Sequence, residues 1–121
     1  MKPQIKWLDI PDKHDYPAAA SYLSLVLDPK TVKKIVAELR KAKVVKFKAK
    51  DIFRASGLSL LGVSNYHVEQ DLKKITAGMP LSPLLLVRDP RSSKLIIADG
   101  YHRACACYAI SEDEWIPCQI R

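Results

Sequence analysis

Asp99, Gly100, Tyr101, His102 and Arg103 stand in succession, so that an acid, a conformationally free residue, a phenol, an imidazole and a guanidinium share one short turn. The apolar run before them reads as a strand, and the Ala- and Cys-rich run after them reads as a helix over 101–110. At such a junction the first N–H groups of the helix lack intrahelical acceptors and carry the positive end of the helix dipole. Gly100 lets an anion approach the backbone closely, Arg103 offers donors matched to phosphate oxygens, and His102 adds one or two more. The chemistry this predicts is phosphate binding. Capping of the helix by Asp99 and an Asp99–Arg103 ion pair account for the same residues, and both uses are compatible with it.

Two further sets of residues can serve that turn. His67, near the start of an earlier helix, and His14, beside Asp12 and Asp15, are candidates to reach the pocket and move a proton, with Asp99 as the carboxylate nearest the phosphate. Tyr66 and Tyr101 can stack on a base or simply pack. The cysteines offer no metal site: Cys105 and Cys107 point roughly 200° apart around a helix, and Cys118 lacks a Cys-x-x-Cys partner. Reduced, buried thiols are expected.

These side chains need elements to hold them. Residues 4–10 alternate weakly and read as a first strand closed by Pro11. Residues 16–27 read as a helix with Pro17 in its first turn, and 31–42 as an amphipathic helix with Val32, Ile35, Val36 and Leu39 on one face. Residues 44–50 switch to period two, with Lys46, Lys48 and Lys50 opposite Val45, Phe47 and Ala49. A brief helix over 51–56 ends at Gly57, and 58–63 is apolar without a clear period. Ser64 or Asn65 can cap a helix in which Val68, Leu72 and Ile75 share a face and Gly78 ends the run. Strands over 84–88 and 94–98 flank the turn Asp89-Pro90-Arg91-Ser92-Ser93, and a strand over 115–120 follows the 101–110 helix.

The chain has 121 residues, 48% hydrophobic and 27% charged, which suits one α+β domain with an adequate core. Its apolar runs are far shorter than the roughly 20 residues of a membrane span, and no signal-like segment opens it, so a cytoplasmic setting without a membrane partner is expected. Charge is uneven within the net +7: nine Lys/Arg against Glu38 alone fall within residues 30–50. Such a segment suits an anionic partner such as DNA, with Lys43, Lys46, Lys48 and Lys50 as candidate contacts. A solvated helix face followed by a lysine-edged strand explains the same residues.

Residues 68–120 resemble the ParB/sulfiredoxin superfamily in the order of their parts: a helix, a Pro-apolar-Val strand, a hairpin partner, a Gly-x-His-Arg turn opening an alanine-rich helix, and a closing Ile-Pro strand. Asn65-Tyr66-His67 falls where ParB-like domains carry a polar pattern ahead of that helix, and residues 7–10 correspond to the family's initial strand. The resemblance implies a single bacterial domain, a small mixed sheet flanked by helices, with a core of 1–15 and 64–121 and a basic helical elaboration over 16–63. It also implies that Gly100, Tyr101, His102 and Arg103 hold the phosphates of a nucleoside triphosphate, ATP or CTP, accompanied by magnesium, with Asp99 and His67 in catalytic roles. Hydrolysis or phosphoryl transfer is the activity expected, with a DNA-binding or nuclease module as the alternative and a homodimer allowed for. Tyr101 stands where sulfiredoxins carry their catalytic cysteine, which argues against that chemistry.

Overall fold

The computed structural model describes residues 2–121. Among them run α1 (Asp15–Leu23), α2 (Pro29–Lys41), β1 (Val45–Lys48), α3 (Ala49–Ser56), α4 (Tyr66–Thr76), β2 (Leu84–Asp89), β3 (Lys94–Asp99), α5 (Tyr101–Ile110) and β4 (Trp115–Ile120). The fold is α+β. Its strands form one mixed sheet in the order β1-β4-β2-β3, with β2 parallel to β4 and the other pairs antiparallel.

The hairpin forms because Asp89 organises its turn, accepting from the Arg91 N–H at 3.1 Å and the Ser92 hydroxyl at 3.0 Å. Side chains then alternate across the sheet. Leu84 and Leu86 face α3, α4 and α5 together with Ile97, Ile116 and Cys118, while Leu85, Val87 and Ala98 face α1 and α2. Burial on both faces is why the stretch 84–87 of β2 is continuously apolar.

Residues 16–63 supply the whole layer on one side of the sheet and α3 on the other. Tyr16, Ala19, Leu23, Val32, Ile35 and Leu39 pack on that first side. Asp28 caps α2 by accepting from the Thr31 N–H at 3.3 Å, with Pro29 in the first turn. The buried polar groups of this layer are paired: the Tyr16 hydroxyl donates to Gln119 Oε1 at 2.6 Å, and Gln119 Nε2 donates to the Ala42 carbonyl at 2.8 Å.

The first strand expected over residues 4–10 does not form. Trp7 makes a single parallel bridge to Leu81, held by Leu8 N–H to Leu81 O and Leu81 N–H to Lys6 O, each at 2.8 Å. Leu81 lies between Pro80 and Pro83, which have no N–H to give, so the ladder cannot lengthen. The basic strand is also shorter than expected. Ala49 and Lys50 open α3 instead, their N–H groups donating to the carbonyls of Glu114 and Glu112, both at 2.9 Å.

Candidate functional site

The Asp99 turn lies where the edge strand β3 gives way to α5. Gly100 adopts φ +104°, and a Cβ there would lie 2.7 Å from Leu84 Cγ and 2.9 Å from Arg103 Nη2. Only glycine fits this position, both for its backbone and for the space around it. No side chain caps α5, whose ladder starts with the Ala104 N–H donating to the Gly100 carbonyl at 2.9 Å. The cap expected of Asp99 is therefore absent, and the amides of residues 101–103 face the turn without a side-chain acceptor.

Asp99 is engaged elsewhere. Its Oδ2 accepts from Arg103 Nη2 at 3.0 Å, and the same nitrogen lies 3.7 Å from Asp15 Oδ2 and donates to the Pro83 carbonyl at 3.4 Å. Ser82 donates its hydroxyl to Asp15 and accepts from the Asp12 N–H at 2.9 Å. Two carboxylates thus share one guanidinium, and the Arg103 Nε–H is buried with no acceptor. Burial pushes the Asp99 carboxyl above its ordinary range; Arg103 pulls it down and neighbouring Asp15 pushes it up.

Across from this cluster, α4 brings a second set of groups. Asn65 caps α4 by accepting from the N–H groups of His67 and Val68 at 3.0 and 3.3 Å, which fixes the helix start. His67 then meets His102 with ring centroids 4.7 Å apart and planes tilted by 46°. A cleft of about 230 Å³ lies between one face of α4 and the start of α5. On one side it is lined by His67, Gln70, Asp71 and Lys74, on the other by Asp99, Gly100, Tyr101, His102 and Arg103. Burial raises the Asp71 carboxyl, against the pull of Lys74, Arg103 and the two imidazoles. Burial lowers His102, and His67 lowers it further, while Asp71 opposes both.

Of the residues expected at the site, Asp99, Gly100, Tyr101, His102, Arg103 and His67 therefore come together. The Tyr101 side chain turns away, donating its hydroxyl to the Ser59 carbonyl at 2.6 Å and so tethering the 57–65 loop. Tyr66 stands at the rim, 66% exposed and edge-on to His67. His14 stays exposed, its backbone N–H donating to Asp12 at 2.9 Å, whereas neighbouring Asp15 reaches the Arg103 cluster. Lys43, Lys46, Lys48 and Lys50 lie elsewhere, at the β1 edge three strands away, roughly 14 Å across the sheet. Lys50 and Lys48 reach Asp113 at 2.7 and 3.7 Å, and Lys48 also covers the Trp115 ring.

Asp71, Lys74, Gln70 and Ser82 join the site without a local motif to mark them. Asp71 carried a signal, since it interrupts the apolar face of α4 formed by Val68, Leu72 and Ile75. Among the described residues no group of three or more His, Cys, Asp or Glu side chains is placed to hold a metal ion. The three cysteines are buried thiols, and burial pushes Cys107 and Cys118 up to about 12. No helix among the described residues is long and apolar enough to cross a membrane. Comparison with known protein families, with curated proteins and with solved structures finds no match for this chain.

Proposed function

We propose that the chain is a nucleotide-phosphate-binding domain of the ParB/sulfiredoxin kind, acting as a nucleoside-triphosphate hydrolase or phosphotransferase. The observation that carries this reading is the uncapped start of α5 opening onto a cleft that also receives His67, His102 and Lys74. Backbone amides at a helix start, imidazole N–H groups and a lysine ammonium are the donors that phosphate oxygens require. Gly100 supports the reading because its bare backbone is the surface a phosphate approaches most closely. The unpaired Nε–H of Arg103 supports it too, since an orphan donor inside a cluster of otherwise paired groups calls for a partner.

In this arrangement the amides of residues 101–103 cradle the terminal phosphate and Lys74 offsets its charge. Arg103 holds Asp99 and Asp15 in place, and Asp99 orients the attacking group. A carboxyl raised by burial is a better proton acceptor than an exposed one, which suits Asp71 or Asp99 to the base role. Magnesium would arrive on the triphosphate rather than in a cluster of protein ligands. ATP, CTP, GTP and ADP, with and without magnesium, are the test, read by melting temperature and by phosphate release. A nucleotide present at a hundredfold excess over its Kd stabilises the fold by about 2.7 kcal/mol, and a His67→Ala/Lys74→Ala double variant loses most of that gain. The reading fails if no nucleotide raises the melting temperature, or if the double variant leaves the rise intact.

A second reading, DNA binding or a DNA-directed nuclease, rests on a different surface. Lys43 and Lys46 are exposed beside the basic face of α2, where Lys33, Lys34 and Lys41 are also exposed. It requires retention on duplex DNA to fall steeply with salt and with charge reversal at Lys43 and Lys46. Retention indifferent to both excludes it.

A further inference from the structure

The fixed charges around the two imidazoles leave no positive excess. Lys74 and Arg103 bring two positive charges to the cleft, Asp71 and Asp99 bring two negative ones, and Asp15 lies behind Asp99 as a third carboxylate. With His67 and His102 neutral, the cleft has no net positive charge to offer an anion. Resting on the phosphate reading above, we propose that the His67–His102 pair takes up protons as the ligand binds, and so selects a phosphate monoester dianion over a phosphodiester monoanion.

The geometry makes the pair a unit. His67 comes from α4 and His102 from α5, and both border the same cleft with ring centroids 4.7 Å apart. Two imidazolium charges at that separation repel, so the free protein disfavours the doubly protonated pair. A dianion seated against both rings removes the repulsion and supplies each with an acceptor; a monoanion can compensate only one. The groups facing the pair are Tyr66, Gln70, Asp71 and Lys74 from α4, and Asp99, Tyr101 and Arg103 from the turn and α5. Among them Asp71 favours the charged form of His102, while burial opposes it. A monoester phosphate has its second ionisation near pH 6, so it is largely dianionic at neutral pH. Space points the same way: a cleft of about 230 Å³ receives a terminal phosphate with one ester arm more readily than a backbone phosphate with two.

The test is nuclear magnetic resonance on the full chain, following the two imidazole titrations and the amides of residues 100–103 with ATP, methyl phosphate or dimethyl phosphate. The proposal expects the midpoints of both imidazoles to rise by about one pH unit or more with ATP and methyl phosphate, and to stay put with dimethyl phosphate. His67→Gln and His102→Gln, each checked for folding by its own amide spectrum, flatten the pH dependence of ATP affinity. If ATP moves the amides of residues 100–103 while both imidazole midpoints stay fixed, the proton-coupled selection is wrong and the phosphate reading survives. If dimethyl phosphate raises the midpoints as far as methyl phosphate does, the selection is again wrong. If ATP moves none of those amides, the phosphate reading falls and takes this inference with it.

Discussion

At Gly100 a single methyl group separates a working turn from a broken one. Gly100→Ala meets both the left-handed backbone and the buried Leu84, and is expected to destabilise by about 3 kcal/mol, read by denaturant unfolding. Arg103→Ala leaves Asp99 and Asp15 facing each other without their shared cation. A loss of about 3 kcal/mol follows, which Arg103→Lys recovers only in part because the ammonium lacks the guanidinium fork. The titrating groups pull in opposite directions. Asp71 and Asp99 are raised by burial, so the native state holds their protons more tightly than the unfolded chain, and their contribution to stability fades as pH rises through the native values. His102 is lowered by burial, so its contribution is present above the ordinary histidine range and fades as pH falls below it. Asp71→Asn is accordingly expected to raise the melting temperature by a few degrees at neutral pH and to lose that advantage in acid. His102→Gln is expected to remove part of the fall in stability on acidification through the ordinary histidine range, both read by thermal melts across pH. The 99–103 turn was legible in the sequence because its five residues are contiguous. The Asp15–Ser82 contact was not, because it joins residues 67 apart that no local pattern links.

Local signals explain which elements the sequence reveals. The period of α2, the Asp89 turn and the stretches that became α5 and β4 were all readable, because each is specified by residues within a few positions of one another. The N-terminal strand was misread for the opposite reason. Its alternation is weak, and its partner Leu81 lies between Pro80 and Pro83, which have no N–H with which to lengthen the ladder. Likewise the lysine stripe over 46–50 splits between β1 and α3 because carbonyls of the 112–114 turn are available to the first amides of α3. Asp28→Ala removes the side-chain cap of α2 and is expected to cost about 1 kcal/mol. Tyr101→Phe removes the tether to Ser59. Amide exchange over 57–65 should quicken while α5 stays protected, since the ring still packs beside Phe53.

The whole molecule presents two charged surfaces at opposite edges of one sheet. One is the small cleft between a face of α4 and the start of α5; the other is the lysine-bearing β1 edge beside α2. The sheet separates them by roughly 14 Å, so a nucleotide at one and a nucleic acid at the other need not compete. Charge reversal at Lys46 therefore leaves nucleotide affinity unchanged within about twofold at moderate salt, where screening is effective over this distance. The claim that matters most is that the start of α5 receives phosphate. An amide-resolved titration of the full chain with ATP, CTP and GTP, with and without magnesium, tests it directly. Saturable shifts centred on residues 100–103 and on His67 and Lys74 are the predicted result. Shifts confined to residues 43–50, or no saturable shifts at all, would contradict it.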